Sequence, residues 1–221
     1  MSKEASSIIE TEDGSQTLIS SEFNERYHSI HGARTESEVV FINAGLLEKL
    51  DSDSTIHVLE MGFGTGLNAL LTLKESVNTN QSIFYVGYEK FPIELNQAKH
   101  FRYGNELDLA DSFQDLHELP WDQQHQLTPL FTFEKRREDI NMITESNRFD
   151  VIYFDAFAPA AQEELWTIDL FQKMHSALKA DGILVTYCAK GQVKRNLKEV
   201  GFSIEPLPGP PGKREMTRAR K

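Results

Sequence analysis

Two short stretches hold residues whose types and spacing suit chemistry. In "EMGFGTGLN" an acid, Glu60, precedes three glycines, Gly62, Gly64 and Gly66, and then Asn68, all directly behind the apolar run "TIHVL". In "FDAFAPAAQEELW" a carboxylate, Asp155, is followed by Phe157 and Pro159. Glycines at alternate positions let a backbone approach a ligand and aim amide N–H groups at it. A carboxylate after an apolar run can take up a proton or steady a developing positive charge.

The glycine turn narrows the choice of ligand. No Lys-Ser/Thr follows it, which excludes a phosphate-cradling P-loop, and the spacing is G-x-G-x-G rather than the dinucleotide G-x-G-x-x-G. A carboxylate beside the loop repels a pyrophosphate but suits a ligand that carries cations. S-adenosylmethionine has a sulfonium and an ammonium and no phosphate. Glu89 lies 29 residues beyond Glu60, where an acid at a strand end can accept both ribose hydroxyls of an adenosine. Asp139 and Ile140 end the next apolar segment and offer an acid and an apolar neighbour to the adenine amino group and ring. The competing reading is a glycine turn that serves only to connect strand and helix. For Asp155 and Phe157 two readings stay open on spacing: a helix cap and a core aromatic, or an acid and a ring facing an acceptor. Pro159 drives Ala158 away from helix into an extended bend. No Ser-His-Asp or Cys-His arrangement competes, and the seven His residues contain no H-x-x-x-H pair, so no helical zinc motif is expected.

These residues need strands and helices to hold them. "TIHVLE" (55–60), "SIFYVGYE" (82–89), "PLFTFEKRREDI" (129–140), "FDVIYFDA" (149–156) and "ILVTYC" (183–188) read as buried strands. Between them "GLNALLTLKESV" places Leu67, Leu70, Leu71 and Val77 at helical spacing. "PIELNQAKHF" begins with Pro92 at a first helical position. "EELWTIDLFQKMHSALK" sets Trp166, Leu170, Met174 and Leu178 four apart. "VKRNLKEVGF" gives a last short helix, and "FSIEPL" and "REMTRA" form a hairpin around "PGPPG". Alternating strand and helix call for an α/β fold: a mostly parallel, doubly wound sheet with a C-terminal antiparallel hairpin. Upstream, "TLISSEFNERYHSIHGARTESEVVF" reads as short strands and a loop, a small N-terminal β segment. Residues 1–16 are expected to be disordered or loosely attached. Residues 17–221 form one domain, with 104–128 an acidic, Gln-rich excursion outside the sheet, either a substrate lid or a solvated insert.

Net charge is −11, which argues against generic polyanion binding. Its distribution is uneven: from Lys190 to Lys221 nine Lys/Arg against three Glu give +6, leaving −17 on the remainder. On charge alone two readings of a basic tail over 212–221 stay open: it meets phosphates where the body cannot, or it is a solvated basic terminus. The polar, acidic N-terminus lacks the apolar core of a signal peptide, no apolar run is long enough to cross a membrane, and Cys188 is the only cysteine. A cytoplasmic setting is expected.

"GFGTGLN", "YEKFP", "DAFAPA…LWT" and "GKREM", in this order, resemble the methyltransferase domain of the bifunctional tRNA 5-methylaminomethyl-2-thiouridine biosynthesis proteins, and "FNERYHSIHGARTESEVVF" is similar to the segment leading into it. The resemblance runs from about Thr17 to Ala219. It implies a Rossmann-like class I methyltransferase that uses S-adenosylmethionine to convert a 5-aminomethyl group on the tRNA wobble uridine to methylaminomethyl. It places Gly62, Gly64, Gly66, Asn68, Glu89, Lys90, Asp139, Ile140 and Asp155 around cofactor and acceptor, with Tyr27 over the cofactor. The family's usual "DGFAP" is "DAFAP" here. No flavin-dependent oxidase domain is expected, so the aminomethyl substrate is expected from a separate, flavin-dependent or other enzyme. The anticodon loop is the expected partner, with Lys194, Arg195, Lys213, Arg214 and Arg218 as its phosphate-contacting edge. A methyltransferase for a small amine or a protein, and a non-catalytic nucleotide-binding module, are the alternatives.

Overall fold

The structure, a computed structural model, describes residues 7–20, 23, 25–51 and 53–221. The chain starts with a hairpin, Ser7–Glu10 (β1) paired antiparallel with Gln16–Ile19 (β2). The N-terminal boundary expected at 17 therefore falls inside this hairpin; residues 1–6 of the segment expected to be loosely attached lie outside the described residues. The polar residues that give this stretch its unstructured look build the turn. Asp13 accepts hydrogen bonds from the Thr11 and Ser15 hydroxyls (2.8 and 2.6 Å) and from the Thr35 N–H (2.9 Å). "ARTESEVVF" is helical rather than extended: Ala33–Ser37 (α1) runs into a π-helical turn, Glu38–Asn43. Ala33, Ser37, Val40 and Phe41 are all buried, and that i, i+4, i+7, i+8 spacing is helical.

The body follows as Ile56–Met61 (β3), Leu67–Asn78 (α2), Ile83–Tyr88 (β4), Leu95–Ala98 (α3), Tyr103–Glu106 (α4), Ala110–Glu118 (α5), Gln123–Thr128 (β5), Phe131–Arg136 (β6), Phe149–Phe154 (β7), Ile168–Ala177 (α6), Leu178–Thr186 (β8), Gly191–Glu199 (α7), Ser203–Pro208 (β9) and Glu215–Arg220 (β10). Eight strands form one sheet in the order β5-β6-β4-β3-β7-β8-β10-β9. The five from β6 to β8 are parallel, with β5, β10 and β9 antiparallel to their neighbours. Side chains alternate across the sheet, and both faces are dry. Val58, Tyr85, Val151 and Val185 point into one core with α2, while Leu59, Val86, Ile152 and Leu184 point into the other with α6. Strands covered on both sides read as continuous apolar runs, which is why they stand out in the sequence.

Three expectations change. The excursion at 104–128 is not outside the sheet, because β5 pairs with β6 and forms its edge. Its residues Gln123–Thr128 are polar and largely exposed, as suits an edge strand. Within α2, Val77 is 56 % exposed, so the apolar face ends a turn earlier than its spacing suggests. The proposed basic tail is also a structural element: β10 lies between β8 and β9, with Thr217 and Ala219 buried. Deleting residues 212–221 would strip hydrogen-bonding partners from two strands at once. The expected outcome is loss of a cooperative thermal unfolding transition, read by circular dichroism, rather than a folded protein with weaker RNA binding.

Candidate functional site

Strand order reverses between β3 and β7, and the carboxyl ends of β3, β4, β6 and β7 meet there. Open α/β sheets bind ligands in the crevice outside the strand ends at such a switch point. A cavity of about 390 Å³ occupies this place, within the usual range for small-molecule sites. Tyr27, Gly62, Gly64, Asn68, Glu89, Lys90, Asp139, Ile140, Asp155, Phe157 and Lys213 all line it. Glu60, Gly66, Pro159 and Arg214 do not.

The glycine turn is closely built. Gly62 has φ +91, and a Cβ there would stand 2.6 Å from the Asp155 carbonyl oxygen. Gly64 has φ +50, and its Cβ would meet the Tyr27 ring at 2.9 Å. Both conditions exclude other residues, because a positive φ already strains an L side chain. The Gly62 and Phe63 N–H groups donate to the Tyr88 carbonyl, and the Gly64 N–H donates to Glu89 Oε2, each at 3.0 Å. Gly66 is the N-cap of α2, with no side chain capping that end. The positive end of the α2 dipole is thereby left toward the crevice.

Behind the turn lies an acid–amide–acid arrangement. Asn68 Nδ2 donates to Glu60 Oε1 and to Asp155 Oδ2, both at 2.9 Å. Glu60 is fully buried, and burial pushes its pKa well above the carboxylate range. Burial also pushes Asp155 up to about 7, with the Glu36 charge adding to the rise and Asn68 and Lys213 opposing it. Asn68 Oδ1 and Glu60 Oε2 are buried without a hydrogen-bond partner. The unused Asn68 Oδ1 acceptor, beside Asp155 in the cavity wall, suits a cationic ligand and disfavours a phosphate. Asp155 does not cap the next helix, where Thr167 accepts from the Leu170 N–H (3.3 Å).

The outer acids are already tethered. Glu89 Oε1 accepts from the Phe91 N–H (2.8 Å) and Oε2 from Gly64, leaving one lone pair on each oxygen for a diol. Lys90 forms an ion pair with Asp139 Oδ2 (2.8 Å), whose other oxygen accepts from the Asn141 N–H (2.9 Å). Burial raises the Asp139 pKa, but hydrogen bonds from Lys90 and Asn141 outweigh it and hold the group below its ordinary value. Ile140 is buried beside them.

A ring cluster closes the crevice. Phe157 stands 5.0 Å from Phe23 and 5.1 Å from Tyr27 between centroids, and Phe23 stands 6.0 Å from the exposed Phe91. The Phe157 backbone is fixed by Gln162 Oε1, accepting from its N–H, and by Trp166 Nε1, donating to its carbonyl. Phe157 is therefore a cavity wall, not core. Pro159 shapes the loop without reaching the cavity. Sequence reading missed Phe23, Phe91, Glu36 and Tyr187, which also line the cavity. Phe91 had a signal, since it follows the "YEK" acid, whereas Glu36 and Tyr187 come from elements distant in sequence.

The expected phosphate edge is mostly neutralised. Lys194 pairs with Glu215, Lys213 with Glu36, and Arg218 with both Glu48 and Glu205. Of the five cations, Arg195 and Arg214 have no carboxylate partner among the described residues and are exposed. The three cations sit on different elements, Lys194 on α7, Lys213 on the turn before β10 and Arg218 on β10, and the fold sets each beside an acid distant in sequence. Among the described residues no cluster of three His, Cys, Asp or Glu could hold a metal ion, and no helix is long and apolar enough to cross a membrane.

The raised Asp155 pKa has a stability sign. The folded protein holds this proton up to about pH 7, whereas the unfolded chain releases it near 3.8. Wild-type stability therefore falls as pH rises through that window and levels off above it. Asp155→Asn removes the term. The gain in stability over wild type is expected to be larger at pH 8 than at pH 5, by up to roughly 2–3 kcal/mol. Denaturant midpoints at the two pH values check this, and an equal difference at both would contradict it.

Comparisons with known proteins bear on the family and the fold. Residues 88–221 match the family described as S-adenosyl-L-methionine-dependent methyltransferase. The tRNA 5-methylaminomethyl-2-thiouridine biosynthesis bifunctional protein MnmC of Burkholderia multivorans (strain ATCC 17616 / 249) is 31% identical over an alignment of 217 residues that covers 90% of this chain and 33% of that protein. Its namesake from Burkholderia vietnamiensis (strain G4 / LMG 22486) is 30% identical over the same length and shares. The chain thus spans about a third of the length of the curated relatives it matches. The crystal structure of MNMC2 from Aquifex aeolicus superposes with a TM-score of 0.79 at 25% identity, over 99% of this chain and 71% of that one. Spermidine synthase from Thermotoga maritima gives 0.56 at 17% identity, over 98% and 69%, a likeness of fold alone. With its Rossmann-like sheet, its glycine turn and its family match, the chain belongs to the S-adenosyl-L-methionine-dependent methyltransferases.

Proposed function

We propose that this chain N-methylates the aminomethyl group of 5-aminomethyl-(2-thio)uridine at the tRNA wobble position. The observation that carries the reading is Asp155: a carboxylate held by Asn68 in the wall of a cofactor-sized cavity beside aromatic rings, where burial pushes its pKa up to about 7. When bound, S-adenosylmethionine supplies a methyl group on a positively charged sulfur. Gly62, Gly64 and the N-terminus of α2 receive its backbone-facing side; Asn68 Oδ1 supplies an acceptor for its cations, and Glu60, outside the cavity, holds Asn68 from behind. Glu89 takes the ribose hydroxyls, Asp139, Ile140 and Lys90 frame the adenine, and Tyr27 covers the site.

A primary alkylamine is mostly protonated near pH 7, with a reference pKa of about 10.4 for Lys, and a protonated amine has no lone pair. Asp155 orients the amine, accepts the proton it must lose, and stabilises the positive charge arriving on nitrogen. Phe157, Phe23 and Phe91 offer ring faces on which a flipped-out pyrimidine stacks. Arg195 and Arg214 are the cations left to meet phosphates. The wobble-uridine substrate rests on the names borne by the relatives, which are longer proteins. A cytoplasmic setting and a separate enzyme supplying the aminomethyl base belong to the same proposal. A second reading, a small amine or protein acceptor, is favoured by the ion pairs that occupy Lys194, Lys213 and Arg218.

The test is incubation with labelled S-adenosylmethionine and tRNA from cells that accumulate the aminomethyl base, then nucleoside mass analysis. Wild type is expected to yield methylaminomethyl-uridine, and Asp155→Ala to slow transfer by roughly 10²–10⁴-fold while retaining cofactor binding. Label only on protein or small amines would select the second reading. Gly62→Ala, which sets a Cβ against a carbonyl oxygen, is expected to weaken cofactor affinity by at least about tenfold in calorimetry; unchanged affinity would make the turn merely structural.

A further inference from the structure

Opposite Asp155 the cavity wall contains a charge pair that the cofactor does not need. Lys213, from the turn between β9 and β10, forms an ion pair with Glu36 of α1, 177 residues away in sequence. The Glu36 side chain is 7% exposed and that of Lys213 31%. The ammonium also lies 3.7 Å from the centroid of the Tyr187 ring. Tyr187 in turn donates its hydroxyl to the Ala156 carbonyl (2.8 Å), next to Asp155. The second Glu36 oxygen accepts from the Ser29 N–H (2.8 Å). Glu36, Lys213 and Tyr187 all face the same cavity as Asp155.

As a fastening between α1 and the hairpin turn this is an expensive choice. A buried ion pair stabilises no more than well-packed apolar residues of similar volume. Its placement matters for charge. With Glu36 alone, Asp155 would share the acceptor pocket with a second carboxylate, and the two would hold an incoming amine as ammonium, without a lone pair. With Lys213 alone, the pocket would repel that amine. Only the matched pair leaves Asp155 as the single effective charge.

We propose that Glu36 and Lys213 are positioning residues for methyl transfer, a compensated pair braced on Tyr187 that sets the charge an acceptor amine meets at Asp155. This rests on the amine-acceptor reading above. It replaces phosphate contact as the role of Lys213.

Every group facing Asp155 enters the test. Glu60 and Tyr85 lie behind it on β3 and β4, Asn68 on α2, Glu36 on α1, Lys213 on the turn and Tyr187 after β8; His28 faces the Glu36–Lys213 pair. Glu36 raises the Asp155 pKa and Lys213 lowers it. The experiment follows the Asp155 side-chain carboxyl ¹³C shift against pH in the full chain, together with the pH profile of kcat. Glu36→Gln is expected to move both toward acid by about one pH unit and Lys213→Met toward alkali by a similar amount. The double variant is expected to return close to wild type, and Lys213→Arg to keep the wild-type profile. Cofactor KM is expected to stay within about twofold throughout. Single-variant titrations that coincide with wild type, or that shift in one common direction, would overturn the proposal. Should Glu36→Gln fail to fold, the Lys213→Met shift decides alone. The carboxyl titration needs no substrate, so a wild-type enzyme that transfers no methyl to an amine would defeat the functional reading separately.

Discussion

The hydrogen bonds from one amide, Asn68 Nδ2, to Glu60 and Asp155 are the constraint on which the site depends. Two carboxyl groups brought together out of water cannot both ionise cheaply. Glu60 yields first, because it is fully buried on β3 and sits among Tyr85 and the α2 helix. Asn68 then holds Asp155 within reach of the cavity and fixes which oxygen faces the wall. The glycine turn must fold tightly for this to happen. Asn68 sits one residue into α2, and α2 starts where Gly66 lets it, so the conformation of the loop sets the position of the amide. Backbone geometry and acid chemistry are in this way one arrangement.

Much of the site was legible from the sequence for a physical reason. Parallel strands buried on both faces are unbroken apolar runs, and a site at their carboxyl ends must fall in the residues that follow each run. Glu89 and Asp155, each directly after a strand, follow that rule; Asp139 stands three residues past the end of β6 at Arg136, and Glu60, inside β3, does not line the cavity. What escaped came from places where no periodicity points. Glu36 is a charged residue in a short helix that reads as a strand or loop, and its importance arises only from the partner it meets across the fold. Tyr187 was hidden at the end of a strand read as ordinary core.

Charge was the least faithful guide. Counting Lys and Arg near the C-terminus gave a basic tail, but a count ignores where neighbours lie. The sheet brings Glu205, Glu48, Glu215 and Glu36 against those cations, and the excess is largely cancelled in space although it persists in sequence. The same limit applied to residues 104–128, whose acidic and Gln-rich composition suits an edge strand and the helix that packs behind the glycine turn. His117 on α5 bonds to the Thr65 carbonyl within that turn (3.1 Å), so the segment braces the site from outside rather than closing over it.

The order of strands has a kinetic consequence. β10 follows every other strand in the chain, yet it sits between β8 and β9. While the polypeptide emerges, the growing sheet ends at β8 with its amide and carbonyl groups unmatched. β9 must wait nearby for a neighbour not yet synthesised. Such a bare margin invites association with other nascent chains. The turn that delivers this strand also delivers Lys213, so β8 gains its partner and the cavity wall its ammonium in the same step.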